Sequence, residues 1–220
     1  VGHEVLVPSI TYISSFQAIS ATGATPIPCD VNEKNLLINL EDAKKRITKK
    51  TRAIMPVHFS GTVGELDRLY KFSKKYKLRV IEDAAHAFGT LYKKKLVGSF
   101  GDLVCFSFDG IKNITTGEGG CVVTNNLKNL KDIQDARLLG VVKDTQKRFK
   151  GKRSWNFDVK TQGWRYHMSN INAAIGISQL GRFKMLAKKR KSICKYYDSL
   201  FTKQKKITFF KRNYDLEVPH

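Results

Sequence analysis

The segment FSFDGIKNITTGEGG, residues 106–120, connects two short apolar runs, Leu103–Phe108 and Cys121–Thr124. Both runs are rich in β-branched or aromatic residues, which predicts two short buried strands. The glycines between them, at positions 117, 119 and 120, predict a tight turn where the backbone approaches a neighbouring group closely. The connection also carries Lys112. On spacing alone, a surface lysine in a hairpin loop is the simpler interpretation, and an amine nucleophile toward an aldehyde is the alternative.

A second chemical signal lies in RVIEDAAHA, residues 79–87, where a predicted strand ends on two acids. Ligands of open parallel sheets bind beyond the carboxyl ends of the strands, so this position suits Asp83 for chemistry. Ala84 and Ala85 are small enough for a flat ring to lie against the backbone. Without further context, a helix N-cap is the simpler role for Asp83.

The rest of the chain alternates strand-like and helix-like segments, which predicts an α/β domain with parallel strands. The predicted strands before Lys112 are Val5–Val7, Thr25–Cys29, Thr51–Val57 and Arg79–Asp83. The predicted helices are Ser14–Thr22, Leu40–Ile47, Glu65–Tyr76, Leu127–Leu139, Asn170–Leu180 and Arg182–Leu200, with Asn39 and Ser169 as N-caps.

The chain of 220 residues has a formal net charge of +21, but its basic residues are spread over several helices and loops. Such spreading is typical of solvated faces, and no nucleic-acid-binding motif accompanies it, so we expect no specific nucleic-acid binding. No apolar run is long enough to cross a bilayer and no signal peptide is visible, so we expect a cytoplasmic protein without membrane insertion. The cysteines are irregularly spaced and predict mostly buried free thiols rather than disulfides or a zinc site: Cys29, Cys105, Cys121 and Cys194.

Three motifs together resemble the DegT/DnrJ/EryC1/StrS family of pyridoxal-phosphate-dependent aminotransferases, which act on nucleotide-linked keto-sugars. They are SF…KN…TGEGG in residues 107–120, EDAAHA in residues 82–87, and GWRYHMS followed by an Ala-rich helix from residue 163. The resemblance implies an α/β fold of the type I aminotransferase class, with a mostly parallel sheet flanked by helices. It implies a large cofactor-binding domain over residues 1–180 and the start of a smaller C-terminal domain over residues 181–220.

The same resemblance implies roles for individual residues. Lys112 would bind the aldehyde of pyridoxal 5'-phosphate covalently and act as the catalytic residue. The other implied cofactor contacts are Asp83 to the pyridine nitrogen, His86 to the ring hydroxyl, Ser107 to the phosphate, Tyr12 stacking on the ring, and Arg165 to the phosphate of the partner subunit's cofactor. Ordinary packing is an equal alternative for Tyr12. Arg165 stands where the family has Asn, and His167 stands where it has Arg, which leaves that contact open.

Two neighbouring features complete the implied site. His58 matches a family loop, and we expect a structural role for it rather than that of a base. The basic loop Val142–Asp158 would approach a diphosphate through Lys147, Arg148, Lys150, Lys152 and Arg153, although a solvent-exposed loop explains each single lysine.

The implied function is transfer of an amino group, with glutamate as donor, to a nucleotide-linked keto-sugar for surface polysaccharide or related amino-sugar biosynthesis. The implied assembly is a homodimer with shared active sites. Family members have a further phosphate-binding segment before the point where this sequence starts and a longer second domain, so the alternative is a truncated, inactive member. A sugar dehydratase is a weaker alternative, because those relatives replace the lysine with histidine.

Overall fold

The computed structural model describes residues 2–142, 150–151, 158–202, 204–210 and 212–219. A six-stranded sheet forms the centre, in the order β2-β1-β3-β4-β7-β8, and a two-stranded hairpin of β5 and β6 lies beside it. The strands are β1 Glu4–Pro8, β2 Thr25–Cys29, β3 Thr51–Ile54, β4 Arg79–Asp83, β5 Leu91–Tyr92, β6 Lys95–Leu96, β7 Leu103–Ser107 and β8 Gly120–Val123. The helices are α1 Ile13–Ser20, α2 Leu40–Lys45, α3 Leu66–Lys75, α4 Leu127–Ala136 and α5 Asn170–Phe201, with a 3₁₀ turn at Phe59–Gly61.

Within the six-stranded sheet, the neighbours β2, β1, β3, β4 and β7 run parallel, and β8 pairs antiparallel with β7. Parallel neighbours require crossover connections, and helices α1, α2 and α3 lie between successive strands of the sheet. The predicted mostly parallel α/β sheet is therefore confirmed.

The core is built from residues of the central strands and of the helices that cover them. Leu6, Ile54 and Val104 on strands β1, β3 and β7 are almost completely buried. Leu66 and Leu69 of α3 pack into the same cluster, because they lie three residues apart on one face of the helix. This packing holds the strand ends in fixed relative positions.

The predicted N-caps are confirmed. The Asn39 side chain accepts hydrogen bonds from the backbone N–H groups of Glu41 and Asp42 at the start of α2. The Ser169 side chain accepts one from the N–H of Asn172 at the start of α5. Each bond satisfies a donor that the first helical turn leaves without an intrahelical partner.

Two details of the predicted elements are wrong. The structure has one helix over Asn170–Phe201, not separate helices that meet at Gly181. A glycine costs a helix about 1 kcal/mol relative to alanine, and the flanking turns offset this by packing, since the Phe183 ring meets Phe88 with centroids 5.2 Å apart. Strand β8 is largely exposed rather than buried, because it forms the edge of the sheet.

A buried polar cluster ties the loop after β3 to strand β4. His58 Nε2 donates to Glu82 Oε2 at 2.7 Å, and the hydroxyl of Tyr70 on α3 donates to Glu82 Oε1. His58 is 2% exposed and Glu82 is 1% exposed. Burial, followed by the charge of Glu82, raises the pKa of Tyr70, so its hydroxyl stays protonated as a donor. The expected structural role of His58 agrees with this cluster.

We predict that Glu82→Ala destabilises the protein, because it leaves a buried donor on His58 and a partly buried donor on Tyr70 without an acceptor. The expected cost is about 1–3 kcal/mol for each stranded group, measured as the free energy of unfolding in urea. The matched control is Glu41→Ala, which removes an exposed carboxylate from an ion pair with Arg68 and should cost less than about 1 kcal/mol. Equal losses in the two variants would contradict the prediction.

Candidate functional site

A cavity of about 530 Å³ opens at the carboxyl edge of the sheet. Its lining residues follow or end four strands: Thr11 and Tyr12 after β1, Val57 after β3, Asp83 on β4 and Ser107 on β7. Parallel strands bring their carboxyl ends to one edge, so side chains far apart in sequence meet there. The volume lies in the range of small-molecule sites.

Most of the predicted site residues line this cavity together: Tyr12, Asp83, His86, Ser107 and Lys112. Arg165 does not line it. This residue is exposed and pairs through its backbone with Leu138, in a bridge beyond α4. The roles suggested for these residues stay predictions.

Asp83 is held by donors on both of its carboxylate oxygens. The Ser15 hydroxyl donates to Oδ2 at 2.8 Å, and the backbone N–H of Ala85 donates to Oδ1 at 3.1 Å. The Thr11 hydroxyl lies 2.8 Å from the Ser15 hydroxyl. Ser15 and Thr11 were not among the site residues predicted from the sequence. For Ser15, the sequence did offer a signal: it is a small polar residue on a helix that must turn one face toward the sheet.

Lys112 lies in a turn that the backbone and α5 support. Its N–H donates to the carbonyl of Asp109 at 3.1 Å, and its own carbonyl accepts from Arg190 at 3.4 Å. Within the part of the chain that the structure describes, the Lys112 ammonium forms no ion pair with a carboxylate. The amine therefore faces the cavity without a fixed anionic partner among those residues.

Helix α5 contacts the glycine-rich end of the same loop. Asn172 in its first turn donates to the carbonyl of Glu118 at 2.8 Å. A Cβ on Gly176 would lie 2.8 Å from the Thr116 side chain, and a Cβ on Gly119 would lie 2.7 Å from the Thr116 hydroxyl. Gly119 also has φ of +147°, which disfavours other residues. The absence of a side chain at Gly176 therefore lets α5 approach the loop closely. The absence of one at Gly119 lets the loop fold tightly around Thr116, as predicted for this turn.

One hydrogen bond identifies which nitrogen of the His86 ring is the acceptor. Its Nδ1 accepts from the backbone N–H of Ser60 at 3.2 Å. Burial, and then the nearby charge of Lys112, lower the pKa of His86 below its ordinary value, and Asp83 opposes them more weakly. The neutral ring therefore carries its proton on Nε2 and is a hydrogen-bond donor through that atom.

Two hydroxyl-bearing residues complete the described lining. Ser107 Oγ accepts from the N–H of Asp109 at 3.3 Å, which leaves its own hydrogen for an acceptor in the cavity. Tyr12 lies directly before α1 and is 74% exposed at the mouth. From the basic loop, Lys150 is described and exposed. Lys147, Arg148, Lys152 and Arg153 lie outside the described residues.

The cysteines of the chain are free, as expected, but only Cys29 is fully buried. Cys105 and Cys194 are partly exposed, and Cys121 on the edge strand β8 is exposed. The expectation of mostly buried thiols is therefore wrong for Cys121, because β8 has no further strand beside it. No helix among the described residues has the length and apolar character that crossing a membrane requires.

The pKa of His86 predicts a pH-dependent contribution to stability. Well above pH 6.5, the ordinary pKa of histidine, the ring is neutral in both the folded and the unfolded chain, and the lowered pKa has no effect. As the pH falls below that value, the unfolded chain binds a proton that the folded chain does not, so unfolding becomes easier. We expect the stability of the wild type to fall relative to His86→Gln between pH 7.5 and 5.5 in urea unfolding. A constant difference between the two proteins would contradict this.

Comparison with known proteins agrees with the resemblance seen in the motifs. An uncharacterized protein of Methanocaldococcus jannaschii, MJ1066, is 40% identical over 198 residues, which cover 90% of this chain and 51% of that protein. Spr1654 of Streptococcus pneumoniae, described as a sugar aminotransferase, has been solved in a PMP form and a PLP form. Its PMP form superimposes on this chain with a TM-score of 0.82 at 33% identity, over 92% of this chain and 56% of that one. The sugar aminotransferase CalS13 of Micromonospora echinospora gives 0.86 at 28% identity, over 99% of this chain and 59% of that one.

The chain thus spans about half the length of the relatives it matches. Its match to the family model is nevertheless almost complete along the chain, from residue 1 to residue 217. The resemblance predicted from the three motifs is confirmed. The chain belongs to the DegT/DnrJ/EryC1/StrS aminotransferase family, whose cofactor is pyridoxal 5'-phosphate.

Proposed function

We propose that this chain carries the cofactor site of a pyridoxal-5'-phosphate-dependent aminotransferase that transfers an amino group from glutamate to a nucleotide-linked keto-sugar. The observation that carries the proposal is a cavity lined both by Lys112, which has no carboxylate partner among the described residues, and by Asp83, whose carboxylate accepts two hydrogen bonds. The sugar substrate is supported by the name of CalS13, a sugar aminotransferase. The product would serve surface polysaccharide or related amino-sugar synthesis, in the cytoplasm.

The lining residues fit the functional groups of this cofactor one by one. The Asp83 carboxylate suits a protonated ring nitrogen, and the Lys112 amine suits the aldehyde. The Nε2–H of His86 suits the ring hydroxyl oxygen, and the Ser107 hydroxyl suits a phosphate oxygen. Tyr12 offers a flat aromatic surface at the mouth of the cavity, where it can stack on the ring.

When bound, pyridoxal phosphate withdraws electrons from the carbon that carries the amino nitrogen. Asp83 supports this withdrawal by holding the proton at the ring nitrogen. Lys112 Nζ would hold the aldehyde of the cofactor and, when an amino donor is bound there instead, would serve as the general base for the proton on the α-carbon of the donor. The same amine would return that proton as general acid, and a water molecule would supply the oxygen of the 2-oxo acid that leaves. The keto-sugar would accept the amino group with the same proton carrier and release a water molecule.

We predict that pyridoxal phosphate, added to the full chain and reduced with borohydride, labels Lys112. Peptide mapping by mass spectrometry should find the label on residue 112 in the wild type and none there in Lys112→Arg. The matched control is Lys128→Arg, which changes an exposed lysine on α4 and should leave the label in place. Labelling spread over surface lysines in a folded protein would refute the assignment.

A catalytically inactive family member is the second candidate, against which the proposal has to be tested. A second sample, loaded with the cofactor but not reduced, separates the two, because borohydride reduction makes the bond to Lys112 permanent and stops turnover. An active chain loaded with cofactor converts glutamate to 2-oxoglutarate in one stoichiometric round, and a nucleoside-diphosphate keto-sugar restores the starting form. An inactive chain carries the label at Lys112 but releases no 2-oxoglutarate.

We also propose that two copies of the chain form a dimer that shares active sites. The outer face of α5 supports this proposal, because Ile171 is 76% and Ile177 is 75% exposed on the helix whose other face packs on the lysine loop. Tyr166, next to Arg165, is 76% exposed. A second copy over this face would bury the apolar side chains and bring Arg165 toward a neighbouring cavity.

We predict that Ile177→Lys shifts the protein from dimer to monomer in sedimentation-velocity experiments, because a charge replaces an apolar side chain at the centre of this face. The control is Lys189→Ile, a change on the same helix at an exposed position that is already charged. A monomeric wild type, or a dimer that tolerates Ile177→Lys, would argue against this surface as the interface.

A further inference from the structure

The Ser15 hydroxyl is a buried polar group that faces the candidate site from helix α1. Ser15 is 3% exposed, and it is one of two buried residues on this short helix, with Ile19. Its Oγ lies 2.8 Å from Asp83 Oδ2 and 2.8 Å from Thr11 Oγ1. The contact between Ser15 and Asp83 joins residues 68 positions apart in the sequence, one on α1 and one at the end of β4.

Proton counting sets the direction of the hydrogen bonds. A hydroxyl has one hydrogen, and an ionised carboxylate only accepts. Ser15 therefore donates its hydroxyl hydrogen to Asp83, and Thr11 is the donor in the bond between the two hydroxyls. The resulting chain runs from Thr11 through Ser15 to Asp83, in one direction, and each bond in such a chain polarises the next.

The remaining hydrogen bonds of Asp83 hold its second carboxylate oxygen and its backbone. Its Oδ1 accepts from the N–H of Ala85 at 3.1 Å, so the two oxygens are held by different elements. Its backbone N–H donates to Pro56 at 2.9 Å, and its carbonyl accepts from His58 at 3.0 Å. With the backbone fixed and a donor on each oxygen, rotation of the carboxylate about its Cβ–Cγ bond is restricted. Each oxygen has two lone pairs, so one further donor can still bind.

We propose that Ser15, supported by Thr11, is a positioning residue that aims the Asp83 carboxylate at a protonated ring nitrogen in the cavity. This inference rests on the proposed function, since that function supplies the ring. Without the Ser15 hydroxyl, Oδ2 loses its protein donor and the carboxylate turns more freely. The hydrogen bond to the ring nitrogen then forms less often, while groups that bind other parts of the ring are unaffected.

The test compares two ligands that differ only at the ring nitrogen: pyridoxal 5'-phosphate and its 1-deaza analogue, in which CH replaces that nitrogen. Dissociation constants are measured by equilibrium dialysis with the full chain. We expect Ser15→Ala to weaken binding of pyridoxal phosphate about tenfold, as for loss of one hydrogen bond to a charged group, and to leave the deaza analogue within about twofold. Thr11→Val should act in the same direction with a smaller effect, and Thr11→Ser, which keeps the hydroxyl, should restore binding.

The matched control is Ser20→Ala, which removes another hydroxyl of α1, one that is exposed and donates to the carbonyl of Gln17 within the helix. It should change neither dissociation constant by more than about twofold, within the ordinary effect of a surface substitution. Thermal melting of each variant checks that the fold is intact. If Ser15→Ala were to reduce melting so far that binding is lost, Thr11→Val provides the same comparison from the other end of the chain of hydroxyls.

Equal weakening of both ligands in Ser15→Ala and Thr11→Val would show a general structural role and overturn the inference. Unchanged binding of pyridoxal phosphate in both variants would overturn it as well. These results leave the proposed function intact, because the wild type binds the cofactor in each case. A wild type that binds neither ligand overturns the proposed function itself, and the positioning role with it.

Discussion

The geometry of the site depends on the carboxylate of Asp83 at the end of β4. Strands on either side support this position, because β4 pairs in parallel with β3 and β7. Backbone bonds from the loop after β3 hold the residue from one side, and the buried pair of His58 and Glu82 holds that loop in turn. A charged group at a sheet edge keeps one orientation only when its neighbours restrict it, and here packing, backbone bonds and side-chain donors act together.

The lysine loop is the second part of the site, and its support comes from a different direction. Helix α5 lies along the loop and contacts it at Glu118, at Thr116 and at the carbonyl of Lys112. The sheet positions the acid, and the helix supports the backbone of the loop that carries the amine, so the placement of the two residues depends on how α5 packs on the sheet. The ring of Phe183 on α5 provides part of that packing, since it meets Phe88 just beyond the strand that carries Asp83.

Sequence reasoning predicted the parallel sheet, the helix caps and most of the cavity lining, but it missed the parts that depend on contacts between distant segments. The alternation of strand-like and helix-like segments is a local pattern, and Asn39 and Ser169 cap helices through bonds within their own first turns. The continuity of α5 through Gly181 was missed because the packing of Phe183 on Phe88 offsets a local preference for ending the helix. The exposure of β8 was missed because the order of strands, and therefore the edge of the sheet, is a global property.

The sequence by itself determined which kinds of chemical groups this protein carries. An amine in a glycine-rich loop, an acid at the end of a strand and a histidine three residues beyond that acid are visible in the motifs, which also sufficed to identify the family. Only the tertiary structure decided which partners orient those groups. Ser15 and Asp83 are 68 residues apart, and the pairing of their side chains follows from the stacking of α1 on the parallel sheet. Local sequence patterns carry no information about such a contact, because folding brings the two segments together through the strands between them.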